Sequence, residues 1–514
     1  MSSTNQFKAI NPSTMEAFGK EFTNASISEI NEKVEKAVKA FDSYRKTDNE
    51  SKATFIETAA EEIMNLGDRL LDTCHQETAL PIPRLQGERG RTVNQLKLFA
   101  SIVREGSWVD ARIDTAMPDR QPIPRSDLRH MLLPLGPVGI FGASNFPLAF
   151  SVGGGDTASA LAAGCPVVVK GHPAHPGTSE MVANAFLTAV EKCGMPEGTF
   201  ALIQGNINEV GEQLVKHPEI KAIGFTGSFR GGKALFDLAN ARPAPIPVFA
   251  EMGSTNPVFF LPGALKEKAD KMGNDLAKSI TMGVGQFCTN PGLAFLEKSE
   301  ESENFTTSLT NALSEIPAGD MLTEGIKNAY DAGIKNISMI NDVSILANGK
   351  QGDLTHGALA KVFKSSIEAF NDNPILAKEN FGPSNILVEA ESKNQIIEAA
   401  NNLEGHLTAT VHCNDQDVYD YQELFSILEK KVGRVVINGY PTGVEVCHAM
   451  VHGGPYPSTT ASQTTSVGTN AIKRFARPIC FQDYPASILP DVLKDGNPLN
   501  TWRLINGELT KDKI

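Results

Sequence analysis

Cys288, in the run Gly285-Gln286-Phe287-Cys288-Thr289-Asn290-Pro291, and Glu251, in Ala250-Glu251-Met252-Gly253, are the residues of this chain best suited to do chemistry. A thiolate adds to a carbonyl to form a covalent intermediate, and a carboxylate can take up the protons that attack and hydrolysis release. Both residues lie beyond a stretch in which strand and helix patterns alternate, an arrangement that looks like a thiol nucleophile delivered to a bound dinucleotide. A lone cysteine is ordinarily a small core hydrophobe, and a lone glutamate in an apolar strand an ion-pair partner. The companions of these two must decide how they are read.

The elements that position them begin with an amphipathic helix. Ser26 and Glu29 form a capping-box pattern, followed by Ile30, Val34, Val38 and Phe41 on one helical face. After about residue 135, short apolar runs read as strands at Val138 to Phe141, Val167 to Val169, Phe200 to Ile203, Ile220 to Phe225 and Pro247 to Ala250. Helix-length stretches fall between them at Thr157 to Ala163, Ser179 to Lys192, Glu209 to Lys216 and Gly232 to Ala239. Such alternation predicts a parallel sheet covered on both faces by helices, with ligands bound at the carboxyl ends of the strands. No GxGxxG follows the first strand. Gly153-Gly154-Gly155 is a weak phosphate signal, and the turn Gly227-Ser228-Phe229-Arg230-Gly231-Gly232, which opens a helix after Phe225-Thr226, is a better one. Gly227 and Gly232 would let a phosphate approach the backbone there, although an ordinary strand-to-helix turn has the same composition.

The chain has 514 residues, 41% hydrophobic and 21% charged, enough for two or three domains with large cores. A formal charge of −13 leaves no basic surface for nucleic acid or an anionic membrane, so neither is expected as a partner. Seven scattered cysteines, with no CxxC pair and no metal-ligand spacing, predict free thiols in a reducing compartment and no metal site. The amino-terminal residues carry no charged-then-apolar leader pattern, and no run of about 18 apolar residues occurs, so a cytoplasmic protein is expected.

Asn145 in Ala143-Ser144-Asn145-Phe146-Pro147, the Gly227 to Gly232 turn, Glu251, Cys288 in Gly-Gln-x-Cys, and Glu379-Asn380-Phe381-Gly382-Pro383 occur in this order. Their order and spacing resemble the NAD(P)-dependent aldehyde dehydrogenase superfamily across nearly the whole chain. The resemblance implies an α/β fold with a Rossmann-type cofactor domain (1–111 and 132–252), an α/β catalytic domain (253–445), and an oligomerisation arm with a C-terminal segment (112–131 and 446–514). It implies Cys288 as nucleophile, Asn145 and the Cys288 N–H as donors to the developing oxyanion, and Glu251 as the base for thioester hydrolysis, best served by a pKa raised toward neutrality. Homodimers or homotetramers acting on a small-molecule aldehyde follow by the same resemblance.

For the cofactor, Glu379 resembles the residue that bonds the nicotinamide ribose, with Phe381 beside it, and Lys170 the lysine that reaches the adenosine ribose. Pro173 stands where NAD-preferring members carry a glutamate that repels a 2′-phosphate. His172 and His175 would assist an anion, so NADP is the expected cofactor, with NAD possible. Two departures from the commonest pattern narrow the resemblance: Ser144 precedes Asn145, and the stretch Gly439 to Gly468 lacks the usual Pro-Phe-Gly-Gly segment, running instead from Asn438 to Pro457 and on to Thr465-Ser466-Val467-Gly468. These features, with Gly142 to Phe150 and His172 to Thr178, resemble the branch containing 2-oxoglutarate semialdehyde (2,5-dioxopentanoate) dehydrogenases, which also includes an NADP-linked bacterial fatty aldehyde dehydrogenase. Phe150 and Phe287 should line the substrate tunnel, Cys447 should lie near its entrance, and Arg434, Arg474 and Arg477 are the candidates to meet a substrate carboxylate. A catalytically silent paralogue and an enzyme passing its acyl group to coenzyme A are the remaining readings, the first disfavoured by the intact Asn145, Glu251 and Cys288 set and the second by Glu251.

Overall fold

Val167-Val168-Val169 has no polar face to turn toward water, and in the computed structural model, which describes residues 5–352, 354 and 357–514, it is the buried middle of a strand. Val167–Lys170 belongs to a five-stranded sheet of order Phe200–Ile203, Val167–Lys170, Val138–Phe141, Ala222–Thr226 and Val248–Glu251. All four pairings are parallel, as expected of apolar strands joined by helices. The helices are Gly155–Ala163, Pro176–Lys192, Asn208–Lys216 and Phe229–Asn240, each overlapping its predicted stretch. Strand order reverses beside Val138–Phe141, which opens a crevice beyond the carboxyl ends of that strand and of Ala222–Thr226.

The helix Ile27–Tyr44 starts where the sequence predicts it, with the Ser26 hydroxyl accepting from the Glu29 N–H at 3.1 Å. The other half of the box is replaced, because the Glu29 carboxylate takes Lys33 instead at 2.6 Å. A later helix, Ile82–Glu105, crosses behind the crevice and turns Arg84, Glu88 and Arg91 toward it.

A second sheet of seven strands has the order Val343–Asn348, Lys361–Ser366, Ser384–Ala390, Leu293–Glu297, Val258–Phe260, His406–His412 and Val432–Ile437. It is parallel except for its first pair. A third, five-stranded sheet joins Ala476–Gln482, Leu128–Pro134, Arg112–Asp114, Arg503–Ile505 and Glu508–Thr510. Residues 446–475, grouped with the tail on sequence, do not extend into this sheet. They form a strap along the free edge of the first one: Thr459 bridges to Glu251, Thr460 N–H donates to Ala250 O at 3.1 Å, and Ala471, Ile472 and Phe475 enter the core beneath.

Among the described residues no helix is long and apolar enough to cross a membrane. All seven cysteines are unpaired.

Candidate active site

Asn145 follows the strand Val138–Phe141, Glu251 ends the strand Val248–Glu251, and Cys288 lies on the connection from helix Pro262–Thr281 to strand Leu293–Glu297. That connection is held tightly. Gly283, Val284 and Gly285 have φ of 56°, 58° and 65°, a region costly for a β-branched valine. A side chain on Gly285 would meet the Gly382 carbonyl at 2.3 Å, so the glycine lets the Cys288 loop lie directly on the Glu379–Pro383 segment. Asn256 braces it from behind, donating to the Cys288 and Asn290 carbonyls at 2.9 Å each.

The structure brings Asn145, Glu251 and Cys288 together. The Asn145 amide donates to the Gln286 carbonyl at 3.0 Å, and Arg84 donates to the Asn145 carbonyl at 2.7 Å. Glu88, buried one turn further along the same helix, accepts the Leu148 and Ala149 N–H groups at 2.8 and 3.0 Å and so fixes the rest of the Asn145 loop.

A residue the sequence reading missed completes the group. His452 Nε2 lies 3.4 Å from Cys288 Sγ and 2.9 Å from Glu251 Oε1, within ion-pair reach of the carboxylate though out of line for a hydrogen bond. The second carboxylate oxygen accepts from the Ser466 hydroxyl at 2.5 Å. His452 and Ser466 both come from the strap, and the only signal in the sequence was the departure of that segment from the commonest family pattern.

Electrostatics differ from the expectation for Glu251. Burial pushes its carboxyl up, but His452, Ser466 and the Cys288 thiol outweigh that and hold it below the ordinary carboxylate value. Burial first, then the Glu251 carboxylate, pushes the Cys288 thiol well above its ordinary value, with Arg91 pulling the other way. The resting pair is a protonated thiol beside an ionised carboxylate, so any attack by the sulfur would require its proton to leave as the new bond forms.

Phe150 and Phe287, the latter next to Cys288 in the chain, both pack against Phe146. The Phe146 ring meets Phe150 and Phe287 edge-on at 5.4 and 5.3 Å, and Phe150 lies 6.1 Å from the His452 ring. Guanidinium groups cover these rings. Arg84 lies 5.2 and 4.9 Å from Phe146 and Phe287, and Arg91 lies 4.9 Å from Phe150. Each retains a buried Nη1 with no partner among the described residues. Arg434 lies near Cys288 but spends both terminal nitrogens on the Pro441 and Gly443 carbonyls. Of the other candidates, Arg474 is locked to Asp156 at 2.7 Å behind the site, and Arg477 lies on the third sheet. Val444, Val446 and Met450 pack with Phe146 and Phe150, which brings the Cys447 segment against these rings.

The cofactor candidates lie along the strand ends. The Lys170 ammonium donates to the Gly205 carbonyl at 2.6 Å, and burial lowers its pKa to about 8, leaving it mostly charged at neutral pH. His172 and Pro173 follow it in the next turn. The cationic help expected of His172 and His175 is corrected by their surroundings. His175 is fully buried, bonded to Ala143 O at 3.0 Å and stacked on His172, and burial holds it near pKa 4 and His172 well below its usual value. Ser228 caps the helix Phe229–Asn240 by accepting from Gly231 N–H at 3.2 Å, which leaves the first amides of that helix for a phosphate. Side chains on Gly227 and Gly232 would strike Phe225 at 2.7 Å and Met252 at 2.6 Å, so packing beneath the turn already requires both glycines.

On the other side of the crevice, Glu379 and Phe381 share a cavity with Ser254, Thr255, Asn290 and Gly382. Glu379 is open to this cleft yet crowded by protein, which raises its carboxyl to about 7, a rise that solvent on the open side works against. It leans over the backbone so closely that a side chain on Gly253 would meet its oxygen at 2.1 Å. An ammonium, free helix amides and a carboxylate spaced along one crevice fit a dinucleotide.

The similarities to known proteins agree with this arrangement. The chain is 48% identical over 487 residues to alpha-ketoglutaric semialdehyde dehydrogenase 2 of Azospirillum brasilense, covering 95% of this chain and 93% of that protein. It is 45% identical over 506 residues to alpha-ketoglutaric semialdehyde dehydrogenase of Acinetobacter baylyi, covering 98% and 96%. Solved structures share its fold at lower identity. Glyceraldehyde-3-phosphate dehydrogenase of Methanocaldococcus jannaschii, complexed with NADP, matches at a TM-score of 0.79 and 21% identity, covering 93% of this chain and 99% of that one. A betaine aldehyde dehydrogenase variant of Staphylococcus aureus, in complex with NAD+, matches at 0.79 and 20%, covering 94% and 95%. The aldehyde dehydrogenase family model matches residues 1–477, and the chain belongs to that family.

Proposed function

We propose that the protein oxidises 2-oxoglutarate semialdehyde to 2-oxoglutarate through a covalent intermediate on Cys288. The observation that carries the mechanism is the meeting of Cys288, His452 and Glu251, whose sulfur, nitrogen and carboxylate oxygen all lie within 4.8 Å of one another. As Cys288 Sγ bonds to the aldehyde carbon, its proton passes to His452 or Glu251, and the Asn145 amide and Cys288 N–H stabilise the oxyanion of the thiohemiacetal. A nicotinamide dinucleotide, when bound, supplies the hydride acceptor that makes the oxidation possible. Once any proton taken from Cys288 has passed to solvent, Glu251 removes a proton from water as that water attacks the thioester carbon; the carbon–sulfur bond breaks, the acid is released, and the Cys288 thiolate takes a proton back from Glu251.

The substrate reading rests on the two semialdehyde dehydrogenase relatives and on Arg84 and Arg91, which cover the phenyl rings beside Cys288 and each keep a buried Nη1 with no partner among the described residues. A carboxylate would satisfy them, whereas a hydrocarbon tail would leave them unpaired. The three rings keep one second reading in play, a medium- or long-chain fatty aldehyde, which an apolar tunnel would suit.

NADP is the favoured cofactor, with NAD also used, because Lys170 offers a cation and Pro173 sets no carboxylate against a 2′-phosphate. The first sheet and its helices form the cofactor domain and the seven-stranded sheet the catalytic domain. The third sheet pairs protomers into a cytoplasmic dimer or tetramer, for which exposed Ile488, Trp502 and Leu509 supply apolar surface.

The deciding experiment is kcat/KM for 2-oxoglutarate semialdehyde, succinate semialdehyde and decanal, each with NADP and NAD, beside a Cys288→Ala control. The dicarbonyl acid should be preferred, and the control should be inert. Preference for decanal would favour the fatty aldehyde reading, and activity surviving Cys288→Ala would overturn the mechanism.

A further inference from the structure

The group around Cys288 has a property that aldehyde oxidation does not need. A thiol, an imidazole nitrogen and a carboxylate oxygen converge, their donor atoms all within 4.8 Å of one another, with Nε2 at 3.4 Å from Sγ and 2.9 Å from Oε1. Donors bound to one tetrahedral zinc at about 2.0 to 2.3 Å lie roughly 3.3 to 3.6 Å apart, so sub-ångström side-chain movements would bring these three to that spacing. Glu251 Oε1 is buried with no hydrogen-bond partner, while Oε2 is held by Ser466. A free lone pair facing the site and a hydrogen bond on the distal oxygen are what a monodentate carboxylate ligand requires. A thiolate and a carboxylate together bring two negative charges, matching the ion. Arg91, near both Cys288 and Glu251, is the opposing charge.

We propose that Cys288 Sγ, His452 Nε2 and Glu251 Oε1 form a zinc site with its fourth position open to water, and that zinc there silences the enzyme reversibly by occupying nucleophile and base at once. On binding, the Cys288 thiol gives its proton to the buffer and the sulfur bonds to the metal; nothing is oxidised or reduced.

The test uses the full-length chain stripped of metal by chelator and titrated with zinc and with cobalt. One equivalent should bind per chain. Cobalt should give a thiolate charge-transfer band and the intense visible bands of a tetrahedral ion. Zinc should block iodoacetamide labelling of Cys288 but leave Cys480 reactive, as read by mass spectrometry, and chelator should restore both labelling and activity. His452→Ala and Glu251→Gln should each weaken zinc about 100-fold or more, and Ser466→Ala roughly 10-fold, the range for loss of an outer-shell partner. Unchanged affinity in Cys288→Ala, or in both His452→Ala and Glu251→Gln, would overturn the proposal by exposing adventitious or thiol-only binding. A six-coordinate cobalt spectrum would overturn it on the unmutated chain, whatever the variants do. None of these failures bears on the aldehyde reading, which kinetics in chelator tests separately.

Discussion

Arg91→Met should change which aldehydes the enzyme prefers without dismantling the site. The Arg91 guanidinium lies 4.9 Å from the Phe150 ring and has one buried nitrogen with no partner. Methionine would keep most of the packing on Phe150 and remove only the charge and its donors. Glu88 would lose one of two neighbouring cations, but it keeps Arg84 and the Leu148 and Ala149 N–H groups, so the Asn145 loop should hold its course. A hydrogen bond to a charged group contributes roughly 1.5 to 3 kcal/mol. At about 1.4 kcal/mol per tenfold change, kcat/KM for 2-oxoglutarate semialdehyde should fall roughly 10- to 150-fold. Pentanal, with the same five-carbon backbone and no carboxylate, should be used as well as before or better. The assay is steady-state reduction of saturating NADP by each aldehyde, with wild type and variant compared in parallel. If both aldehydes decline by the same factor, Arg91 supports the cleft wall and does not contact a carboxylate.

Asn145→Ala removes an amide aimed at the Cys288 loop and should lower kcat by roughly 10²- to 10³-fold, with iodoacetamide labelling of Cys288 largely retained. Gly285→Ala forces a side chain toward the Gly382 carbonyl at a φ of 65°, so it should cost at least about 1 to 2 kcal/mol in thermal unfolding and depress kcat by displacing the nucleophile. Burial lowers His175, His406 and His412 to about 4, below the roughly 6.5 of an unfolded chain. The unfolded state therefore binds more protons between these values, and the stabilisation present above pH 6.5 is lost as pH falls toward 4. For His175 this amounts to roughly 3 kcal/mol at most, and urea unfolding of His175→Gln should show a shallower acid slope than wild type.

The strands of the first sheet were legible because Val167 to Val169 and Phe200 to Ile203 are apolar runs too short for helices and bounded by turns. Asn145, Glu251 and Cys288 were legible through their flanking motifs, since each sits at a strand end or loop that the fold must use. His452 was not, because nothing in the local chemistry of Met450-Val451-His452-Gly453-Gly454 announces a contact with a cysteine 164 positions earlier. The same blindness misplaced the charge on Glu251. Its apolar strand predicts burial and a raised pKa, but the lowering groups, His452 and Ser466, arrive from the far end of the chain. Arg84 and Arg91 went unnoticed because a helix presents guanidinium groups to a cleft or to solvent with the same sequence spacing.

The strap over residues 446–475 gives the order of synthesis a consequence. Ala471, Ile472 and Phe475 complete a core otherwise built largely from residues before 223, and His452 and Ser466 complete the surroundings of Glu251. A ribosome that has produced the first sheet has made a domain with an open seam along its edge strand and with Glu251, buried in the finished fold, still exposed to water. That seam closes only when residues 446–475 emerge. Nascent chains stalled short of the strap should therefore lack the complete Cys288, His452 and Glu251 group, and their uncovered strand edge should draw chaperones.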